Sequence, residues 1–346
     1  METKERTVPG YERVVSGVEE TAGYHGIVVI HSTAMGPAVG GTRFWSYKNE
    51  DDAITDALRL ARGMTYKNAL AGLPCGGGKS IIMRDSSGKD REQLFRAHGR
   101  MVNLFAGKYI TAEDVGTSPV DMEYILKETS HVAGLQDRSG DPSPHTARGV
   151  FRAMQAAARH RWGRDDLSGK TVAIQGCGHV GYYLVGELAR VGAKLVVADV
   201  DQERVKRVVA DHHATSVAPE EIYSVQADIF APCALGGVLN DQTIPKLRVE
   251  VVTGAANNQL LEPRHGDLLG QRGILYAPDY AVNAGGVING CCIEMLGWDV
   301  ARTREKTDAI YHTLLNIFAT AERARIPTYL AADRLAEAHM AHPTAS

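Results

Sequence analysis

Two lysines in unusual settings carry the first chemical signal in this chain. Lys67 lies in Met64-Thr65-Tyr66-Lys67-Asn68, and Lys79 directly follows Gly76-Gly77-Gly78. Three glycines in a row give the Lys79 backbone close access to a neighbour, because no Cβ stands in the way. Two ammonium groups aimed into one cleft suit a substrate that carries a carboxylate. Like-charge repulsion and partial burial would lower their pKa values, so that one could work as an acid or base near neutral pH. A carboxyl group is also needed to shuttle protons. Asp114, in Thr111-Ala112-Glu113-Asp114-Val115-Gly116-Thr117, stands at a strand-to-loop transition where it could do so. A helix cap or turn residue is the other reading of Asp114. A P-loop is the rival reading of Gly78-Lys79-Ser80, but it needs a glycine where this chain has Leu73.

A second motif, Gly176-Cys177-Gly178-His179-Val180-Gly181, has the spacing of a dinucleotide-binding turn. Gly176 permits the tight turn, Gly178 lets backbone approach a pyrophosphate, and Gly181 lets helix pack on strand. The following helix offers free N–H groups to phosphate, with His179 and Val180 in its first turn. Asp199 comes 23 residues after Gly176, followed by Val200 and Asp201. An acid at that place accepts hydrogen bonds from ribose hydroxyls, and with Asp201 beside it repels a 2′-phosphate. The motif therefore reads as NAD rather than NADP, with Arg204 the one feature that favours NADP. The bland reading is a glycine turn with no ligand.

The elements that must position these groups are legible from periodicity. Residues 26–31 and 79–83 read as strands, the second stopping at Asp85-Ser86-Ser87-Gly88, and 109–112 as another. Residues 51–64 read as a helix with Ile54, Leu58, Ala61 and Met64 inward, and 90–106 as a second. The polar stretch 136–144 suits a linker, followed by a helix over 146–160 with Val150, Met154, Ala157 and Ala158 inward. Strand–helix alternation then takes over. Strands are expected at 171–175, 194–200, 228–230, 249–252 and 273–276, with helices at 178–191 and 201–210. That pattern predicts a doubly wound parallel sheet. The tail over 298–340 reads as helical with a break at Ile326-Pro327.

Bulk properties set limits. A chain of 346 residues is long for one domain, so two are expected. Hydrophobic residues make up 44% and charged residues 23%, an ordinary globular balance, and the net charge of −3 suggests neither a nucleic-acid nor a membrane partner. No apolar run is long enough to span a bilayer, and the N-terminus does not read as a signal peptide. Cys75, Cys177, Cys233, Cys291 and Cys292 show neither zinc spacing nor an even framework, so no metal is expected and a reducing cytoplasm is the simplest home.

Several stretches in the same order resemble the amino-acid dehydrogenases, with leucine and valine dehydrogenases nearest, then phenylalanine dehydrogenase, and glutamate dehydrogenase more distant. They are Gly36-Pro37-Ala38-Val39-Gly40-Gly41-Thr42-Arg43, residues 64–69, 76–79 and 111–116, Pro232-Cys233-Ala234-Leu235-Gly236-Gly237, Gly254-Ala255-Ala256-Asn257-Asn258, Ala277-Pro278-Asp279-Tyr280 and Asn283-Ala284-Gly285-Gly286. The resemblance runs from about residue 10 to 340. It implies an α/β protein of two domains with a cleft between them that closes around the reactants. An α/β substrate-binding and oligomerisation domain would span 1–140, completed by C-terminal helices at about 326–346. A Rossmann-type NAD-binding domain would span 141–325.

The resemblance also implies roles. Lys67 would hold the substrate carboxylate, assisted by Asn257. Lys79 would be the base that activates water, and Asp114 would exchange protons with the substrate nitrogen. Thr146, Cys233, Ala234, Ala255, Ala256 and Asn283 would lie along NAD. Val39, Gly40, Ala112, Val287 and Gly290 would line the side-chain pocket. None of these pocket residues is charged, so an apolar amino acid is expected: leucine, valine or isoleucine, with phenylalanine or tryptophan as the alternative. Gly290 departs from the valine usual in branched-chain enzymes, which enlarges the pocket. The implied partners are the amino acid, the 2-oxo acid and ammonia, in a homo-oligomer. A non-catalytic NAD-binding sensor would be expected to lack Lys67, Lys79 or Asp114, and all three are present. A hydroxy-acid dehydrogenase would pair a histidine with a carboxylate, and His31, His98, His145 and His179 show no such placement.

Overall fold

The computed structural model describes residues 1–84, 90–135 and 138–342. The expected strand stop at Asp85-Ser86-Ser87-Gly88, the first two residues of the expected linker, Gln136 and Asp137, and residues 343–346 lie outside the described residues. The chain divides into two compact units. The first holds residues 1–140, 293–297 and 336–346, and the second holds 141–292 and 298–335.

The first unit is built on a six-stranded sheet. Its strands are β1 Glu2–Arg6, β2 Arg13–Glu19, β3 Tyr24–Ser32, β4 Ala38–Trp45, β5 Gly76–Met83 and β6 Tyr109–Glu113, in the order β1-β2-β3-β5-β4-β6. Pairing is antiparallel from β1 to β5 and parallel from β5 through β4 to β6. Three helices cover it: α1 Glu50–Leu70, α2 Arg91–Asn103 and α3 Pro119–Leu126. The period-2 alternation of the strands sorts the core. Ile27, Val29 and Ile81 pack with Ala53, Ala57 and Ala61 of α1. Val28, Ile30 and Ile82 pack on the other face with Phe95 and Met101 of α2 and Met122 and Ile125 of α3.

Helix α1 begins where the acids suggest, with the Asn49 side chain accepting from the Asp52 N–H at 2.8 Å. It runs past the expected end at Met64 to Leu70, so Lys67 lies in its last turn, where a cation suits the helix dipole. The stop comes at Gly72, left-handed at φ 59°, with the Leu73 N–H donating to the Asn68 carbonyl at 3.0 Å.

The three glycines before Lys79 are not a ligand-binding loop but the first half of β5. What approaches them is protein. A Cβ at Gly76 would fall 1.9 Å from the Ser32 carbonyl oxygen, and one at Gly78 would fall 2.8 Å from the Tyr109 ring. One at Gly77 would fall 2.1 Å from the Thr65 nitrogen of α1. The turn of α1 that carries Lys67 thus rests directly on the strand that carries Lys79. Gly77→Ala is expected to cost about 3 kcal/mol of stability, because backbone rather than a flexible side-chain end must move. Urea unfolding measures it, and a loss below about 0.5 kcal/mol would mean that α1 is free to shift.

The second unit begins with α4 Ser143–Trp162, whose Val150, Met154, Ala157 and Ala158 are buried as its periodicity predicts. Then follow β7 Thr171–Gln175, α5 His179–Arg190, β8 Lys194–Ala198, α6 Gln202–His212, β9 Thr215–Ser216, β10 Ile229–Pro232, β11 Val251–Val252, α7 Arg264–Gln271, β12 Leu275–Tyr276, α8 Asp279–Val282 and α9 Gly285–Gly290. The sheet is wholly parallel in the order β12-β11-β10-β7-β8-β9, so the strand order reverses between β7 and β10. That is the doubly wound arrangement, and the crevice beyond the carboxyl ends of β7 and β10 is where such sheets take ligands. Helices α10 Val300–Asp308 and α11 Ile310–Ala324 follow, and α12 Thr328–Ala341 begins after Arg325, left-handed at φ 53°, and Pro327. β8 stops at Ala198, two residues before the expected end, because Asp199 turns its carboxylate onto the adjacent backbone.

Candidate active site

The alternation in the first unit decides which side chains meet. Thr42 of β4 pairs in register with Ser80 of β5, and both turn to α2, where they bond His98 Nε2 at 3.0 and 3.1 Å. Their neighbours Arg43 and Lys79 therefore turn to the α1 face. Just past β6, Asp114 joins them. Lys79 Nζ lies 2.8 Å from Asp114 Oδ2, and Arg43 Nε donates to that same oxygen at 3.0 Å. Arg43 also donates through Nη1 to Asp56 Oδ2 of α1 at 2.8 Å, where the Tyr47 hydroxyl donates at 2.7 Å. Gly41 makes room for the cluster, since a Cβ there would stand 2.8 Å from the Asp114 Cβ.

Lys79 is only 4% exposed. Burial pushes its pKa below the usual lysine value against the pull of the Asp114 carboxylate, and the Arg43 guanidinium pushes the same way. For Asp114, burial works to raise the pKa, but the cations of Lys79 and Arg43 together outweigh it and hold the carboxyl below its ordinary value. A like charge that acts on Lys79 is thus Arg43, which the sequence did not single out. The turn reading of Asp114 holds for its backbone only: its N–H donates to Thr117 Oγ1 at 2.9 Å while the carboxylate points to the cations. A buried ammonium whose pKa lies below the usual lysine value, salt-bridged to a carboxylate, has the chemistry of a candidate acid–base pair.

Behind this cluster, on the α2 face, lies a buried polar network that the sequence did not signal. Tyr24 bonds His98 Nδ1 at 2.9 Å, and Tyr109 donates to the Gly40 carbonyl at 2.6 Å. Burial lowers His98 to a pKa of about 3, so it stays neutral. The network joins β3, β4, β5 and β6 to α2, which fixes the strands that carry Arg43, Lys79 and Asp114. Of the pocket residues, Val39 and Gly40 lie in β4 and Ala112 in β6, opposite Gly41.

In the second unit, the glycine motif forms the turn between β7 and α5. Gly176 is at φ 108°, and a Cβ on it would fall 2.9 Å from the Ala234 nitrogen, so the loop after β10 closes over the turn. Gly181 packs so tightly that its Cβ would lie 2.0 Å from the Gly176 carbonyl oxygen. Asp199 accepts from the Cys177 N–H at 2.6 Å and the Asp201 N–H at 2.8 Å. Arg204 is held by Asp201 at 3.1 Å. Val200 beside them is 86% exposed, an apolar surface next to the acid. Burial raises the Cys177 and Cys233 thiols to about 12, so neither adds negative charge. His179 is exposed at the first position of α5, with Val180 half-buried next to it.

Further along the same sheet end, the Asn283 amide donates to the Ala255 carbonyl at 3.0 Å and to Asn257 Oδ1 at 2.7 Å. Its own Oδ1 is buried without a partner. Ala256 is anchored by its N–H on the Pro232 carbonyl at 2.9 Å. Thr146 lies in the first turn of α4, where a Cβ on Gly286 of α9 would lie 3.0 Å from its Oγ1. Val287 and Gly290 lie further along α9, and a Cβ at Gly290 would meet nothing within 4 Å. Among the described residues no group of three or more metal-ligating side chains could hold a metal ion, and no helix is long and apolar enough to cross a membrane.

Residues 12–131 match the Glu/Leu/Phe/Val dehydrogenase dimerisation domain, and residues 139–205 and 197–335 match the Glutamate/Leucine/Phenylalanine/Valine dehydrogenase domain. Leucine dehydrogenase of Geobacillus stearothermophilus is 52% identical over 330 residues, covering 94% of this chain and 90% of the relative. Valine dehydrogenase of Streptomyces albus is 47% identical over 343 residues, covering 97% and 94%. The crystal structure of L-tryptophan dehydrogenase from Nostoc punctiforme matches with a TM-score of 0.87 at 44% identity, covering 96% of each chain. This chain therefore belongs to the glutamate, leucine, phenylalanine and valine dehydrogenase family.

Proposed function

We propose that the protein catalyses the NAD-dependent, reversible oxidative deamination of a branched-chain L-amino acid to its 2-oxo acid and ammonia. The observation that carries the reading is the buried Lys79–Asp114 pair, 2.8 Å apart, with the lysine pKa held below its usual value by burial. Relatives named leucine and valine dehydrogenase, about half identical over nearly the whole chain, support the substrate class.

In this reading Lys67 holds the substrate carboxylate by a charge-assisted bond, with Asn257 assisting. NAD, when bound, accepts the hydride from the substrate Cα. Neutral Lys79 takes a proton from water as the water attacks the resulting imine carbon. Asp114 exchanges protons with the nitrogen, first as it leaves the amine and again as ammonia departs. The first unit is then the substrate domain, with the C-terminal helix contributing to it, and the second unit is the cofactor domain.

The second unit's residues fit NAD on three counts. The Gly176–Gly181 turn presents the start of α5 without side-chain obstruction, and Asp199 and Asp201 disfavour a 2′-phosphate. The unpaired Asn283 Oδ1 is an acceptor suited to a carboxamide N–H, next to Ala255. Arg204, the feature that favoured NADP, is engaged by Asp201. Five free cysteines are consistent with the cytoplasm, where we place the enzyme as a homo-oligomer.

The test is NADH oxidation with a panel of 2-oxo acids, with and without ammonium. Oxidation that requires ammonium and is fastest with branched-chain 2-oxo acids is the expected result. Oxidation without ammonium would make the protein a hydroxy-acid enzyme, and NADH binding without turnover would make it a sensor. The open space at Gly290 favours acceptance of larger side chains as well. Gly290→Val is expected to lower kcat/KM for tryptophan or phenylalanine relative to valine by about tenfold. Competition assays measure that ratio, and an unchanged ratio would remove Gly290 from the pocket.

A further inference from the structure

Arg43 touches two carboxylates and is absorbed by neither of the roles above. It comes from β4, whose register puts it on the α1 face with Lys79. Its Nε and the Lys79 ammonium both engage Oδ2 of Asp114. Oδ1 of Asp114 has no hydrogen-bond partner among the described residues. A carboxylate held by two cations at one oxygen cannot rotate to exchange its oxygens without breaking two charge-assisted bonds at once.

Arg43 is itself held. Its Nη1 reaches Asp56 Oδ2 of α1, that oxygen also takes the Tyr47 hydroxyl, and Arg59 approaches Asp56 Oδ1 at 3.5 Å. Two fixed elements, β4 and α1, thus set the guanidinium plane. A lysine in its place could not make both contacts in that geometry, since a single ammonium lacks the rigid fork.

We propose that Arg43 is a positioning residue for the reaction: with Lys79 it pins Oδ2 of Asp114, so that Oδ1 is the oxygen presented to the substrate nitrogen. The inference rests on the proposed deamination. It concerns which carboxylate oxygen does the proton exchange, and what keeps that oxygen in place.

The charged and titratable groups that bear on this carboxylate are Lys79 from β5, Arg43 from β4, Asp56 and Arg59 from α1, Tyr47 beyond β4 and Tyr109 from β6. Removing the Arg43 cation takes away an attraction that favours ionised Asp114 and a repulsion that favours neutral Lys79. Both pKa values rise, so the limb of the pH–rate profile that rises as Lys79 deprotonates moves to higher pH.

The experiment compares wild type, Arg43→Met, Arg43→Lys and Tyr47→Phe in amino-acid oxidation with NAD across pH. In Arg43→Met, kcat is expected to fall about a hundredfold, with KM for the amino acid little changed and the rising limb shifted to higher pH. Arg43→Lys should restore the pH profile and only part of the rate. Tyr47→Phe should lower kcat several-fold with the profile unmoved. If the profile stays in place in Arg43→Met, or if Lys and Met variants lose the same activity with no shift, the positioning role is overturned. If Arg43→Met does not fold, wild-type kcat in both Arg43→Lys and Tyr47→Phe overturns it.

Titration of the Asp114 carboxyl carbon by NMR, in wild type and Arg43→Lys or Arg43→Met, reads the same contact without turnover. A wild type with no ammonium-linked turnover but a shifted Asp114 titration in Arg43→Met defeats the deamination reading and leaves the Arg43 contact standing. Turnover in wild type with an unshifted titration defeats the positioning role alone.

Discussion

Lys79→Met is expected to lower kcat for amino-acid oxidation by about 10³-fold, within the range that positioned acid–base groups supply. The side chain is almost fully buried, and its chemistry lies at the Nζ that meets Asp114 at 2.8 Å. Methionine keeps the length and apolar stem but has no proton to exchange. The fold should stand. Removing one member of a buried ion pair usually strands the other, but here Arg43 remains on Asp114 Oδ2 at 3.0 Å. The loss of a desolvated cation also removes an unfavourable burial. Thermal unfolding should therefore change by less than about 2 kcal/mol while turnover collapses, a separation that distinguishes a chemical role from a structural one. Turnover within tenfold of wild type would exclude Lys79 as the base.

Asp114→Asn is the second large effect, with about 10²-fold expected in kcat. Its diagnostic is the pH profile. The Asp114 carboxylate pulls the Lys79 pKa upward, against burial. An amide removes that pull, so the Lys79 pKa falls further. In the oxidative direction the base must be neutral, and the limb that rises as Lys79 deprotonates is expected to move to lower pH in the variant. The stability consequence has its own sign. Asp114 is held below its ordinary pKa, so in wild type the pair contributes stability above the unfolded-state value, and that contribution is lost as pH falls through the lower folded value. The variant should lose stability near neutral pH and show a flatter acid limb. A limb that stays at its wild-type pH would mean that the two groups are not coupled in the working enzyme.

Local pattern carries as far as local physics does. Thr171–Gln175 is recognisable as a strand because its apolar run ends at Gly176, and the glycine spacing then specifies a turn that only small residues can make. Lys79 is visible as a candidate because three glycines precede it, and Asp114 because it stands at a strand-to-loop transition. By contrast, β4 is hidden by Gly40 and Gly41, which weaken a strand signal, and β1 by its largely exposed, charged residues. Helix α1 runs past the expected end at Met64, where Thr65 packs on Gly77 and Tyr66, Ala69 and Leu70 are buried.

The sequence by itself therefore determined the glycine turn, the alternation of the second unit, the family resemblance and the candidacy of Lys79 and Asp114 as acid–base groups, all of which are written in spacing along the chain. Only the tertiary structure decided that the three glycines serve helix–strand contact, that Arg43 supplies a like charge acting on Lys79, and that one oxygen of Asp114 takes both cations. Those outcomes depend on strand register and on which face of the sheet each side chain occupies. Arg43 and Lys79 lie far apart in sequence, and it is the parallel pairing of β4 with β5 that sends both side chains to the α1 face.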